Sequence, residues 1–201
     1  MKQIFEIKDK KTIYDVLDRA EYGTLALSVD NIPYAVPVNF VRIDEIIYFH
    51  GALKNKKMEM LKKNQHVSFS VVENYSLIAS FFSSTDGLAC PATQFFKSVS
   101  ISGTSGVIEG KEEKEMMFEA LMQKLQPEGK YRPFSEEAYE KALNATAVIK
   151  IVPSEIQCKF KFGQHLTQER FEMILEHLEQ RDTQIDRETI ELMKSQRKKN
   201  A

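Results

Sequence analysis

The stretch IYFHGALKNKKMEML, residues 47–61, gathers the side chains best suited to chemistry. Its pattern reads as a strand ending at His50, a Gly51-Ala52 turn, and a helix opened by Lys54, Lys56 and Lys57. Backbone N–H groups at a helix start, with ammonium groups beside them, form an anion site that suits a phosphate monoester. A lysine run is equally an ordinary solvated helix face, and spacing alone leaves both readings open. His50, at a strand end beside that helix, is a candidate proton donor or substrate contact; the alternative is a structural histidine bonded to backbone. His66, His165 and His177 show no HxxxH or HExxH spacing, and Cys90 and Cys158 form no CxxC pair, so no metal site is expected. Phe81, Phe82, Phe95 and Phe96 come in pairs that either flank a planar ring or fill a core. GxGxxG and GxxxxGK[ST] do not occur, which excludes the common dinucleotide and ATP sites.

The elements that must position these residues are mostly strands. Gly23 to Val29, Tyr34 to Ile43 and Ile46 to His50 read as three strands, joined by DNIP (Asp30 to Pro33) and by Asp44-Glu45. Helical spacing marks Lys11 to Ala20, Lys54 to Asn64 and Lys111 to Leu125, with a further helix capped by Ser135. Val67 to Val72 is another strand, Ile78 to Phe82 a candidate continuation, and Ser83 to Thr93 a loop. Ser98 to Gly110 is a long strand with bends expected at Gly103 and Gly106, and Thr146 to Phe162 reads as two strands around Pro153. After Thr167, a cap, Phe171, Ile174, Leu175 and Leu178 form one apolar stripe; Asp186 is expected to cap a last helix ending in a frayed basic SQRKKNA. Many short strands around one core suggest a closed barrel with a helical extension.

The chain has 201 residues, 28 Lys plus Arg against 29 Asp plus Glu, and a net charge of −1, so no overall field draws it to nucleic acid or a membrane. The opening residues MKQIFEIKDKK hold no long apolar run, and a cytoplasmic, reducing location is the expectation.

PYAVPVNFV, then IYFHGA, then NKK, then KSVSISG resembles the pyridoxamine 5′-phosphate oxidase-like FMN-binding split-barrel superfamily, and within it the 5-nitroimidazole-resistance (Nim) type. The resemblance runs from Gly23 to Ile151. It implies a mainly β fold with added helices: a six-stranded FMN-binding split β-barrel over residues 1–163, followed by a C-terminal helical hairpin over 164–201. It implies FMN as cofactor, with Val38, Asn39 and Phe40 along the flavin ring. His50 and Gly51 would lie near the cofactor, and Lys56 and Lys57 would take the phosphate, where many relatives have Arg-Lys. Asn55 stands where the Nim branch often has Gly, at a turn that favours a left-handed backbone. Ser98 occupies the position at which the oxidases have a glutamine near the flavin, and Val36 stands in place of an arginine, which speaks against a true pyridoxamine phosphate oxidase. Homodimers with two flavin sites are the family's expected assembly. CKFKFGQHLTQERFEMILEHL, Cys158 to Leu178, is similar to the C-terminal segment of the PaiB-like FMN-binding proteins, which are described as transcriptional regulators.

Three functions follow. The first is an oxidoreductase that uses FMN to pass electrons from NAD(P)H to a small acceptor, such as a nitroaromatic, with His50 donating a proton. The second is a non-catalytic flavin-binding sensor or regulator. The third is haem binding, with His50 or His165 as an axial ligand.

Overall fold

A computed structural model describes residues 2–199. The strands are β1 (Glu6–Ile7), β2 (Tyr22–Val29), β3 (Ile32–Ile43), β4 (Ile46–Ala52), β5 (His66–Ile78), β6 (Thr93–Ile108) and β7 (Thr146–Lys161). The helices are α1 (Lys10–Arg19), α2 (Lys56–Lys63), α3 (Lys111–Leu125), α4 (Glu140–Asn144), α5 (Gln168–Arg181) and α6 (Gln184–Lys199). Pairing runs β1-β7-β4-β3-β2-β5-β6, and β6 pairs back to β7. Six strands therefore close on themselves, as the split barrel implies, and the two-residue β1 adds a seventh to β7. Closure leaves the six long strands no unpaired edge to template aggregation. No helix among the described residues is long and apolar enough to cross a membrane.

The chain forms two compact units. One, here the barrel unit, comprises Leu17–Val71 and Ser100–Ile156; the other, the helical unit, is built from the residues up to Val16, Val72–Val99 and the chain from Gln157 onward. In the barrel unit, β2 and β3 form a hairpin whose Asp30 and Asn31 both take positive φ, 51° and 62°. That is the two-residue turn whose twist matches the strands. Pro33 is thus not in the turn but in β3, opposite Ser28. Phe40, Phe49 and Phe69 are fully buried, with Phe40 and Phe69 edge to face at 4.9 Å. α3 lays Met117 and Leu121 on Val41, Tyr48 and Val148.

In the helical unit, α5 buries Phe171, Ile174 and Leu178 of the stripe read from spacing, with Leu175 half-buried, and Thr167 caps it by accepting from the Arg170 amide at 3.4 Å. Asp182, at φ 47°, ends α5. The cap of α6 is Thr183 rather than Asp186. Thr183 Oγ1 accepts from the Asp186 amide at 3.3 Å, and the Asp186 carboxylate accepts from the Thr183 amide at 3.2 Å. This reciprocal box satisfies two first-turn donors. α6 stays helical through Lys199, so the basic end is ordered that far; residues 200–201 lie outside the described ones.

Other expectations are corrected. β5 is one strand from His66 to Ile78, and Ser80–Phe82 forms a single 3-10 turn, not a strand. β7 does not break at Pro153; it changes partner around it, pairing β4 through Ile151 and β1 at Cys158 and Lys159. A proline costs no ladder bond at such a crossover. Ser135 caps nothing: a 3-10 turn at Glu137–Tyr139 precedes α4 instead.

Candidate functional site

In the barrel unit β4 delivers His50 and Gly51 to the start of α2. His50 lies opposite Val148 and Gly51 opposite Ala147, so both are fixed by the sheet. Asn55 then starts the helix. Its Oδ1 accepts from the Met58 amide at 2.9 Å, and its Nδ2 donates to the Ala52 carbonyl at 3.1 Å, bracing the turn from both sides. The backbone at Asn55 is extended (φ −164°), so the asparagine serves as a cap and not as a left-handed stand-in for glycine. With Met58 capped and the Glu59 amide bonded to the Asn55 carbonyl, the amides of Lys56 and Lys57 have no acceptor among the described residues.

The two lysines behave differently. Lys56 is exposed, with its ammonium 4.6 Å above the Tyr34 ring. Lys57 is buried and reaches back under the turn: a Cβ on Gly51 would lie 3.1 Å from its Nζ. Among the described residues no carboxylate pairs with Lys57. Burial holds its pKa below the ordinary lysine value. A buried cation without a counter-charge is costly, and an anion on this turn removes the cost. The lysine run is therefore more than a solvated face at Lys57, and an ordinary surface lysine at Lys54.

The His50 side chain reaches solvent, and its ring makes no hydrogen bond among the described residues, which removes the structural-histidine alternative. Desolvation by its surroundings, and then the Lys57 charge, lower its pKa. The ring lies 5.4 Å from Phe118 of α3, which stacks on Phe134, which in turn meets Tyr139 at 4.6 Å. This aromatic row carried no sequence signal, because its members lie far from His50 in the chain and become neighbours only when α3 docks.

β3 presents its three residues unequally. Val38 and Phe40 point inward and are buried, while Asn39 is exposed and donates its Nδ2 to the Glu21 carbonyl at 3.1 Å. Tyr22, Pro37, Val38 and Asn39 line a groove of about 490 Å³. Phe40 is not among the residues lining that groove. Ser98 belongs to the helical unit, half-buried on β6. The phenylalanine pairs split: Phe82 and Phe95 are buried, Phe81 is exposed, and Phe82 stacks on His177 at 4.6 Å.

Residues 9–160 match the family described as pyridoxamine 5′-phosphate oxidase. The chain belongs to that family. No curated protein matches it. Among solved structures it is similar to a candidate 5-nitroimidazole antibiotic resistance protein from Bacteroides thetaiotaomicron, at 23% identity and TM-score 0.62, over 77% of this chain and 85% of that one. It is similar to a flavocytochrome from Azotobacter vinelandii, at 21% identity and TM-score 0.65, over 78% and 69%. An FAD- and haem-binding protein from Mycobacterium smegmatis matches at 22% identity and TM-score 0.64, over 78% and 73%. At these identities the likeness is one of fold.

Proposed function

We propose that this chain is an FMN-binding flavoprotein that works as a homodimer and passes electrons from NAD(P)H to a small acceptor, a nitroaromatic being the first to try. The observation that carries the flavin reading is the buried, unpaired Lys57 ammonium under the Gly51 turn, beside two unbonded helix-start amides. That set fits one terminal phosphate, which favours FMN over a longer dinucleotide flavin. Two solved structures of the same fold are named as FAD-binding, which supports a flavin. Bound there, a flavin would supply the electron-transfer chemistry, and the protein would supply position and electrostatics.

In this reading Lys57 and the amides of Lys56 and Lys57 hold the phosphate, with Lys56 closing over it. Gly51 lets the ammonium approach the backbone. The backbone of Val38 to Phe40 and the Asn39 side chain would meet the ring's polar edge. Burial and the Lys57 charge favour the neutral His50 ring; an anion on Lys57 would lift its pKa and leave more of it protonated for donation.

The test is the visible spectrum of the purified protein, followed by NADH or NADPH without oxygen. Flavin bands that bleach support the oxidoreductase, and mass spectrometry of the heat-released flavin identifies FMN. Bands that resist both nucleotides overturn the NAD(P)H step and leave a carrier or sensor. A Soret band, or a colourless protein that takes up no FMN, overturns the flavin reading.

A further inference from the structure

The helical unit contains a pocket that the flavin reading does not use. It has a volume of about 230 Å³. Ile78, Phe95 and Ile174 give it apolar walls, while the cations Lys161 and Arg170 and the His165 imidazole line the rest, and no carboxylate is among its lining residues.

Each of the three basic groups is held by neutral neighbours. Lys161 Nζ donates to Thr93 Oγ1. Arg170 donates through Nε to the Ser83 carbonyl at 2.9 Å and through Nη2 to Ser83 Oγ at 3.2 Å, which fixes its plane and leaves further N–H donors unspent. The His165 ring stands edge-on to Phe5 at 5.3 Å. Among the described residues none of the three has an acidic partner. Asp86 and Glu169 line an adjoining groove that shares Ser83, Pro91 and Arg170 with this pocket. On the other flank the charge is again positive. Burial, then Lys2, Lys161 and Arg170, hold His165 below its ordinary pKa, and burial, then Lys159, lower Lys161. Two cations and an imidazole held toward its neutral form converge on one concave, partly apolar space with no carboxylate in its lining.

We propose that this pocket binds a small organic acid, its carboxylate or phosphate head facing Lys161, His165 and Arg170 and its short apolar body lying against Ile78, Phe95 and Ile174. Such a head takes charge-assisted hydrogen bonds from arginine and lysine, which are about twice as strong as neutral ones. The volume is below the usual range of about 300–1,000 Å³ for drug-sized ligands, so a flavin or a nicotinamide dinucleotide does not fit. The inference shares no residue with the phosphate turn and stands independently of it.

The probes are benzoate and phenyl phosphate, with benzyl alcohol as the neutral control, added to the full chain while the His165 ring signal is followed by NMR against pH. One or both acids should raise the His165 midpoint by about one unit, as an opposite charge at close range does. The preferred head group is the one that does so at lower concentration. Lys161→Met and Arg170→Gln should each weaken binding about tenfold or more, the loss expected for one charge-assisted bond. If Arg170→Gln melts early because Ser83 loses its donors, Lys161→Met, which keeps an unbranched side chain only one atom shorter, decides alone. The proposal is overturned if neither acid moves the His165 signal at about 10 mM. It is equally overturned if benzyl alcohol binds as well as the acids, or if Lys161→Met keeps full affinity. Flavin absorbance of the same variants separates this result from the fate of the flavin reading.

Discussion

The Lys57 ammonium sits over the Phe49 ring, 4.9 Å from its centre. That contact offsets part of the desolvation of a buried cation, typically by about 0.5–2 kcal/mol, and does not supply a counter-ion. The residual cost predicts an unusual sign. Lys57→Met should raise the melting temperature of the ligand-free protein while abolishing the rise that inorganic phosphate or FMN gives the parent. Sites that bind charge commonly trade stability for function in this way. A variant that melts lower than the parent without ligand, or that keeps its phosphate-induced rise, contradicts the assignment of Lys57 to the anion site.

Gly51 offers a gentler probe of the same turn. Its φ is not in the left-handed region, so alanine is admissible on the backbone, but the new methyl would stand 3.1 Å from Lys57 Nζ and 3.4 Å from Cε. Those atoms end a flexible side chain and can give way. Gly51→Ala should therefore fold with a stability change within about 0.5 kcal/mol, yet bind FMN about tenfold more weakly because the ammonium is displaced. Fluorescence titration with FMN checks this, and unchanged affinity would falsify the proposed cradle.

His50 gives the pH dependence. Its folded pKa lies below the unfolded value of about 6.5, so the unfolded chain takes up the proton first as pH falls. The contribution of His50 to stability is thus present above about pH 6.5 and is lost below it, toward the folded pKa. Phosphate bound at Lys57 should move the folded pKa upward and shrink that window. NMR titration of the His50 ring, with and without phosphate, reads the shift; a midpoint indifferent to phosphate separates His50 from the anion site.

How much of this was legible in the sequence differs by element. α3 was readable to its limits, Lys111–Leu125, because its apolar period and its Pro127 and Gly129 stop are local features. β5 read as two pieces because Glu73 and Asn74 interrupt the apolar pattern, yet Glu73 lies 3.7 Å from Lys97 of β6 and is accommodated by a pairing no local window contains. Pro153 misled for the same reason: whether proline breaks a strand depends on whether a neighbouring strand needs a donor at that position. At the site, spacing marked His50, Gly51, Lys56 and Lys57 as a group. It did not distinguish the buried Lys57 from the exposed Lys56, because that difference arises from Phe49 and the turn beneath. Phe118 and Phe134 were invisible, since only the docking of α3 brings them to His50.

Gly103 tests the close approach of β6 and β7 in the barrel unit. A Cβ there would lie 2.5 Å from the Val152 carbonyl oxygen and 3.0 Å from Ile151 Cγ2. Backbone, unlike a lysine tip, does not yield cheaply. Gly103→Ala should destabilise by about 1–3 kcal/mol, the range for overpacking, whereas Gly110→Ala, which meets nothing within 4 Å, should be near neutral. Equal urea midpoints for the two variants would show that the strands are not packed as described.

The strongest polar contact of the helical unit is also the most sensitive to acid. Asp186 is fully buried. It accepts from Ser76 Oγ at 2.5 Å, from Arg181 Nε at 2.8 Å and from Thr183 Oγ1 at 2.6 Å, tying the start of α6 to β5 and to the end of α5. The Arg181 hydrogen bonds, against the opposing effect of burial, hold its carboxyl far below the ordinary carboxylate range. The unfolded chain therefore takes up this proton first, and the stabilisation is complete above about pH 4 and lost as pH falls below it. Asp186→Asn removes the charge opposite Arg181, which is 35% exposed and keeps its bond to the Leu77 carbonyl, and should cost about 1–3 kcal/mol at pH 7, the range for losing a hydrogen bond to a charged group. The variant should also lose the steep acid limb between about pH 4 and pH 2, where the parent surrenders the same interaction. Urea unfolding across that range measures both effects, and amide exchange at Ser76, whose N–H donates to Thr189 Oγ1 at 3.2 Å, localises them. An Asp186→Asn protein with parental stability at pH 7 would mean that the Asp186 contacts add nothing to the hold that Thr189, Ile190 and Met193 already give α6.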